Sequence, residues 1–427
     1  MSVVTSRLAN GMRVVTHAMP HLETVSLGVW VGAGARCEQP GEHGISHLLE
    51  HMAFKGTARR TARQLAEEIE SVGGDLNAAT SAELTAYYVR VMKPDVPLAL
   101  DILADILSSP RFDEAELARE KEVILQEIAA AQDSPDDLVH DLAQEAAFPG
   151  QALGRPILGT AQSVSAFTTG DLERYLAVHY APGSMVLAAA GGVDHDAFVR
   201  RAEAAFAALP ERGAAAWPPA HYQGGIRVIE KPFEQNHMVL GFRGPSFRDE
   251  SFFAGQVLSS CLGGGMSSRL FQEAREQRGL CYAIYSYCWG LSDTGLFGIH
   301  SATGADQMTE LLAVVTGELA RIAAHAPGEE EIERARAQLK AGLLMSLESS
   351  SARAEQLARH LLAYGRVLET DELIARVDAV SAESVRALAE QMFTTVPPSI
   401  ALVGTRLPRD AAEKLLQGAQ PVAAAAQ

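Results

Sequence analysis

The sequence has little of several features that would assign a protein to a specialised class. Its 427 residues include four scattered cysteines, which form no C-x-x-C pair: Cys37, Cys261, Cys281 and Cys288. This usage is typical of reduced thiols and predicts neither a disulfide framework nor a four-cysteine zinc site. No apolar run approaches the roughly 18 residues of a membrane span, and the first residues lack the apolar core of a signal peptide. We therefore expect a soluble, cytoplasmic protein with no membrane span.

Positive charge is also scarce. The chain has 36 Lys and Arg against 53 Asp and Glu, which gives a formal net charge of −17. Binding to nucleic-acid phosphates needs clustered Lys and Arg, so this balance argues against a nucleic-acid partner. An acidic surface can attract basic peptides over long range, but it serves solubility equally well.

What the sequence does contain is a compact H-x-x-E-H motif from His47 to His51. The segment has no proline and is rich in residues that favour a helix. Residues four apart share one face of a helix, so His47 and His51 can reach one metal ion. Glu50 lies on the same side, where its carboxylate can take a proton from a water molecule. Two His and a carboxylate are typical of a catalytic zinc site, whereas the alternative is an amphipathic helix with solvated His and Glu.

A metal ion held by two imidazoles needs a third protein ligand. The predicted helix over residues 113–132 carries Glu120 and Glu127, which are seven residues apart and therefore share one face. In a chain with 53 acidic residues, a Glu on a downstream helix has little weight by itself.

The order of predicted elements begins again near the midpoint of the chain, after a stretch rich in Pro, Gly and Ala. Glu116-Leu-Ala-Arg119 resembles Glu331-Ile-Glu-Arg334 at an offset of 215 residues, and no second H-x-x-E-H motif occurs. We predict an α+β fold of two homologous domains, each a mostly antiparallel sheet packed with helices. The predicted boundaries are 1–210 for the metal-binding domain, 211–225 for a linker, 226–416 for a metal-free domain and 417–427 for a disordered tail.

Taken together, these residues resemble the M16 metallopeptidases (the pitrilysin or inverzincin type), in particular the processing-peptidase-like branch, over nearly the whole chain. In that family a zinc-ligand Glu follows the motif by roughly 75 residues, and here Glu127 follows His51 by 76. The resemblance implies one Zn²⁺ per chain with His47, His51 and Glu127 as its ligands. It also implies that Glu50 is the general base and that Glu120 is a supporting acid beside the ligands.

The resemblance implies how a peptide substrate is bound. Asn77 and Ala78 match an edge strand to which the substrate adds as an extra strand, and Phe54 matches a residue lining the pocket for the side chain just after the cut. In the second half, Arg275 and Tyr282 match a pair that reaches the substrate and the reacting carbonyl. Because one chain contains both this pair and the zinc motif, the resemblance implies a homodimer and not a heterodimer of unlike subunits.

Asp137 and Asp141 lie four residues apart on a predicted helix, so their carboxylates share a face. In processing peptidases a similar acidic pair takes the arginine two residues before the cut, and paired carboxylates suit a guanidinium. A solvated acidic helix face is the alternative.

The function that these expectations describe is a zinc-dependent endopeptidase. It would cleave extended or unfolded peptides, including presequence-like peptides with basic residues, by means of water activated at the metal by Glu50. Two alternatives stay open. One is a general oligopeptidase without a processing role, and the other is a non-catalytic scaffold or partner subunit of the same fold.

Overall fold

A computed structural model of the chain describes residues 3–209 and 217–418. The strands are β1 (Val3–Arg7), β2 (Arg13–Ala18), β3 (Thr24–Val31), β4 (Asp75–Thr80), β5 (Thr85–Met92), β6 (Met185–Gly191), β7 (Gly225–Glu230), β8 (Asn236–Gly244), β9 (Cys281–Gly290), β10 (Gly295–Thr303) and β11 (Ser399–Gly404). The predicted linker 211–225 lies partly outside the described residues, and the predicted tail 417–427 lies mostly outside them.

Helices outnumber strands in the described ranges. They are α1 (Ile45–Ala53), α2 (Ala62–Ser71), α3 (Val96–Ser108), α4 (Glu114–Asp133), α5 (Pro135–Ala147), α6 (Ala161–Ala166), α7 (Thr169–His179), α8 (His195–Ala205), α9 (Phe252–Gly263), α10 (Met308–Ala324), α11 (Glu329–Ser346), α12 (Ser350–Tyr364), α13 (Thr370–Asp378), α14 (Ala382–Thr394) and α15 (Arg409–Gly418). The helices predicted around the H-x-x-E-H motif and over residues 113–132 are present as α1 and α4. A π-helix spans Phe271–Gln277.

The chain forms two compact units, and each unit takes a segment from the other half of the sequence. The first unit contains residues up to 128, 156–218 and 344–367, and the second contains 129–155, 219–343 and 368 onward. Helix α5 therefore belongs to the second unit and α12 to the first. The predicted domains 1–210 and 226–416 follow the duplicated sequence and do not include this exchange.

The first unit is built on a six-stranded sheet in the order β1-β2-β6-β3-β5-β4. Neighbouring strands are antiparallel except for β2 and β6, which are parallel. Strand β6 is buried along its whole length, as expected for a run of apolar and small residues at the centre of a sheet. Strand β4 lies at one edge, where it pairs with β5.

The second unit is built on a five-stranded sheet in the order β7-β11-β8-β10-β9. Here β7 and β11 are parallel and the other neighbours are antiparallel. Counted from its parallel pair, the first sheet has the same succession of directions, β2-β6-β3-β5-β4. The α+β fold of two homologous domains predicted from the sequence is therefore confirmed.

The two exchanged helices each cover one face of a sheet. In the first unit Leu357 of α12 packs in a buried cluster with Trp30, and in the second unit Val139 of α5 packs in a cluster with Val239. Burying a large apolar side chain contributes about 1.5–3 kcal/mol, so these contacts hold each helix on its sheet. Within the two described ranges, no helix has the length and apolar character that crossing a membrane requires.

Candidate metal centre

Helix α1 begins at a glycine and a buried carboxylate. Gly44, at the N-cap, has a φ of 92°, a left-handed conformation that glycine adopts without strain. The Glu38 carboxylate accepts hydrogen bonds from the backbone N–H groups of Gly44 and Ser46, at 2.9 and 3.0 Å, and from the Ser46 hydroxyl at 2.6 Å. A negative charge at this end also suits the helix dipole. These contacts determine where α1 starts and hence which of its side chains face the core.

The two faces of α1 separate apolar from polar side chains. Large apolar residues spaced three and four apart are fully buried: Ile45, Leu48, Leu49 and Met52. On the other face His47, Glu50 and His51 are only partly buried. The buried face therefore anchors the helix while the motif stays accessible.

The two His side chains converge with Glu127 of α4. Its Oε2 atom lies 3.6 Å from Nε2 of His47 and 3.7 Å from Nε2 of His51. The imidazole centroids are 4.6 Å apart, and the three ligand-type atoms all lie within 4.8 Å of one another. The structure thus brings the three predicted zinc ligands together.

The spacing of these atoms suits a metal ion better than direct hydrogen bonds. Zinc bonds of about 2.0–2.2 Å in a tetrahedral shell place neighbouring ligand atoms about 3.3–3.6 Å apart. Within the described residues, Oε2 of Glu127 and Nδ1 of His47 are buried without a hydrogen-bond partner. Burial, and secondarily the nearby His51, lower the pKa of His47 to about 4. This imidazole is therefore neutral at pH 7, as a metal ligand must be, and the residues present fit zinc.

Glu120, on α4, contacts one of the predicted zinc ligands. Its buried carboxylate lies 2.9 Å from Nδ1 of His51 through Oε2 and 2.7 Å from Nζ of Lys55 through Oε1. Burial would raise the pKa of Glu120, but the hydrogen bonds from Lys55 and His51 outweigh it and leave the pKa below its usual value. When Nδ1 of His51 donates to Glu120, Nε2 keeps its lone pair for a metal. Sequence reasoning missed Lys55, whose signal was its position four residues after His51.

Glu50 has the properties of a group that exchanges protons. Its Oε2 atom is buried and has no hydrogen-bond partner among the described residues. Burial raises the pKa of Glu50, and Thr80 and His51 offset part of this rise. A raised carboxylate pKa suits proton transfer near neutral pH. Thr80, at the end of β4, was not predicted because spacing along the chain does not show which strand packs beside α1.

The edge strand β4 packs against α1. The backbone N–H of Ala78 donates a hydrogen bond of 2.8 Å to Oδ1 of the exposed Asn77. Beside the start of β4 lies a groove of about 330 Å³, whose walls include Phe54, Leu65 and Ile69. The three residues predicted to bind substrate in the first half therefore lie on or beside the strand that packs against the motif helix.

Comparison with known proteins assigns the family. Residues 13–161 match the insulinase domain of peptidase family M16, and residues 166–339 match the domain described as the M16 inactive domain. An uncharacterized zinc protease of Streptomyces coelicolor is 39% identical over 412 residues, which cover 94% of this chain and 90% of the relative. The chain belongs to peptidase family M16. The uncharacterized zinc protease YmxG of Bacillus subtilis is 39% identical over 388 residues, which cover 90% of this M16 chain and 94% of the relative.

Solved structures show the same M16 fold. The M16 inactive domain from Pseudomonas fluorescens superimposes with a TM-score of 0.88 at 23% identity, covering 95% of this chain and 98% of that one. A protease from Helicobacter pylori gives a TM-score of 0.87 at 21% identity, covering 94% and 99%. At these identities the likeness establishes the fold alone.

In the second unit of this M16 chain, Arg275 and Tyr282 lie together. The guanidinium carbon of Arg275, in the π-helix, is 4.8 Å from the ring centre of Tyr282 and 4.5 Å from that of Phe271. These are cation–π distances, and π-helical turns are frequent at functional sites. Tyr282 is 78% exposed. The structure thus brings the predicted pair together, with the phenol accessible.

Asp137 and Asp141 lie one turn apart on α5, in the second unit. Asp137 is exposed and Asp141 is partly buried. Burial, and then repulsion from Asp137, raise the pKa of Asp141 to about 6. The two carboxylates are therefore close enough to interact, as their spacing predicts, and their role in binding stays a prediction.

Proposed function

We propose that the chain is a zinc-dependent endopeptidase that acts on extended or unfolded peptides. The observation that carries the proposal is the convergence of His47, His51 and Glu127 at distances suited to zinc. Glu50 adds a buried carboxylate oxygen without a hydrogen-bond partner in the described residues. The names of the relatives, which contain the words zinc protease, support the same chemistry.

The chain's own residues have separate tasks in this proposal. When bound by His47, His51 and Glu127, zinc supplies a Lewis acid for the scissile carbonyl and lowers the pKa of water at the centre. Glu50 accepts a proton from the attacking water and returns it to the nitrogen of the leaving peptide. Glu120 holds His51 in the tautomer that leaves Nε2 free for the metal.

The edge of β4 supports an extended substrate. No other described strand pairs with the outer side of β4, so a peptide can add there, main chain to main chain. The N–H of Ala78, now bonded to the side chain of Asn77, is a donor that such a peptide would take over. The groove beside Phe54 would hold one substrate side chain. A folded protein offers few free strands of this kind, which favours unfolded peptides as substrates.

A finer proposal concerns basic residues in the substrate. Asp137 and Asp141 offer two carboxylates on one helix face, which suits an arginine side chain. We expect Asp137→Asn combined with Asp141→Asn to lower kcat/KM selectively for peptides that contain Arg, compared with matched peptides that contain Gln. An equal loss for both peptides would remove the pair from substrate recognition. The homodimeric state and the cytoplasmic location implied by the sequence stay predictions.

The purified full chain tests the proposed activity. We expect it to cut members of a peptide library without a second subunit, to stop when a chelator is added and to recover with zinc, with the cuts mapped by mass spectrometry. Glu50→Gln should keep its zinc but lose about 10²–10⁴-fold in kcat, because it removes the proton acceptor and no ligand.

The control for this experiment is Glu67→Gln, which changes an exposed carboxylate on α2 and should leave kcat unchanged. Near-normal turnover by Glu50→Gln would remove Glu50 from its role. If the zinc-loaded wild-type chain cut no peptide at all, the non-catalytic scaffold would become the better explanation.

A further inference from the structure

A second group of metal-ligating side chains lies in the second unit, apart from the residues described above. It consists of Asp136 in the first turn of α5, His237 on β8 and His300 on β10. Oδ1 of Asp136 is 3.1 Å from Nε2 of His300 and 4.0 Å from Nδ1 of His237. The two His nitrogens are 3.3 Å apart. Three elements that are distant in sequence thus place three donor atoms around one point.

Strand register produces the His pair. His237 lies opposite Ala302 in the β8–β10 ladder, and His300 lies opposite Val239. The two His are therefore diagonal neighbours on one face of the sheet, within reach of each other's side chains. Helix α5 packs on β8 and β11, and its first turn brings Asp136 over the same face.

Hydrogen bonds alone leave this cluster in conflict. A neutral imidazole carries one proton, and Nδ1 of His300 is buried with no partner among the described residues. If the proton is on Nε2, it points to Asp136 and the buried Nδ1 is left without a donor. If it is on Nδ1, the Nε2 lone pair can accept a hydrogen bond from Nδ1 of His237 but also faces the carboxylate of Asp136, which repels it. A cation between the donor atoms turns this repulsion into attraction.

We propose that Asp136, His237 and His300 bind a second divalent transition-metal ion of the zinc type. Two imidazoles and one carboxylate are the donor set found at His47, His51 and Glu127, and this set suits zinc. The separations of 3.1 and 3.3 Å are close to the roughly 3.3–3.6 Å between neighbouring ligands in a tetrahedral zinc shell. The third separation, between Asp136 and His237, is 4.0 Å, and a small rotation of the exposed Asp136 side chain would shorten it. This site does not depend on the proposed peptidase activity.

The side chains around the cluster restrict the movement of its His residues. His140, also on α5, stacks on His300 with ring centroids 5.2 Å apart and planes at 27°, and its Nε2 lies 3.1 Å from the hydroxyl of Tyr285. Burial lowers the pKa of both His237 and His300, which favours the neutral imidazoles that a metal needs. The side chain of Asp136 is 55% exposed, so an ion can enter from this side. A bound ion would tie the start of α5 to the second sheet.

Zinc content of the full-length protein tests the proposal. After equilibration with a zinc buffer and removal of free metal, we expect two zinc ions per chain by atomic emission. Glu127→Ala should hold one, Asp136→Ala should hold one or bind the second ion more than about 10-fold more weakly, and the double variant should hold none. Asp136 is exposed, so its replacement leaves the fold intact where a change of the buried His300 would not.

His325→Ala is the matched control, because it removes an exposed His of the same unit outside the cluster, and it should keep two zinc ions. A thermal-unfolding midpoint that rises with zinc in Glu127→Ala but not in the double variant would support the second site. A wild-type content of one zinc, lost in Glu127→Ala and unchanged in Asp136→Ala, would overturn the proposal and leave a hydrogen-bonded His–Asp cluster.

Discussion

The two units share one succession of strands but join their corresponding helices by different chemistry. In the first unit, α1 meets α4 where Glu120 accepts a hydrogen bond from His51, beside the proposed zinc ligands. In the second unit, α9 and α11 hold the same places in the order of elements. There Ser260 of α9 donates a hydrogen bond of 3.1 Å to Oε1 of Gln338 on α11. Arg269, which lies between α9 and the π-helix, makes a two-pronged ion pair with Glu331 of α11, at 2.7 and 2.8 Å.

Helices α4 and α11 have different residue types at the positions that correspond to Glu120 and Glu127. At the offset of 215 residues, Glu120 corresponds to Ala335, which is buried, and Glu127 corresponds to Gly342. One copy of the architecture therefore folds with Ala335 and Gly342 at the positions where the other has Glu120 and the proposed zinc ligand Glu127. The fold therefore does not require these two Glu residues. Their presence in the first unit is better explained by the proposed metal binding.

Glu127→Ala is the strongest test of this comparison, because it puts a residue without donor atoms at a proposed ligand position, as in the second unit. We expect the loss of one zinc per chain and a fall in kcat/KM of more than about 100-fold, with the circular-dichroism spectrum of the folded chain unchanged. The unfolding midpoint should fall only by the part that zinc binding at this site contributes. Zinc analysis, a peptide assay and circular dichroism measure these effects. Glu122→Ala, exposed on the same helix, is the control. If Glu127→Ala kept all its zinc, Glu127 would not be a zinc ligand, and the proposed difference between the two units would be wrong.

Glu120→Gln should have an intermediate effect. The amide can still contact His51 but has no charge to hold Lys55 or to favour the required tautomer, and losses of this kind are about 10–100-fold in metal affinity or activity. Competition with a chromophoric chelator measures the zinc affinity. Zinc binding as tight as in the wild type, whatever the change in unfolding midpoint, would show that Glu120 does not act through His51.

Glu331→Gln should have the smallest effect on activity and a measurable one on stability. It leaves Arg269, which is mostly buried, without its charged partner, and a hydrogen bond to a charged group contributes about 1.5–3 kcal/mol. Urea unfolding should show a loss of this size, whereas zinc content and kcat should not change. Glu333→Gln, exposed on the same helix, is the control. If Glu331→Gln lost zinc from the first unit, the ion pair would be more than a local structural contact.

Much of the first centre could be predicted because its information is local. The spacing of His47, Glu50 and His51 defines one face of a helix, and the apolar residues between them define the other. Glu127 could be selected from 53 acidic residues only through the resemblance to a known family. Lys55 and Thr80 were missed, since their contacts depend on how α1 packs with α4 and β4.

The exchange of α5 and α12 could not be read from the sequence. Both helices have an apolar face, and such a face shows that a helix covers a sheet without showing which sheet. The cluster of Asp136, His237 and His300 could not be predicted from the sequence either. It depends on the register of β8 against β10, which the sequence pattern does not specify.

By itself, the sequence determined the helix that carries the motif, the face on which its His and Glu lie, and the duplicated order of strands and helices. These features follow from backbone geometry over a few residues and from repetition along the chain. Only the tertiary structure decided that Glu127 meets the two His, that Glu120 bridges His51 and Lys55, and that a second His–Asp cluster forms. Contacts of that range arise when apolar faces are buried against each other, and this burial brings together side chains that no local pattern connects.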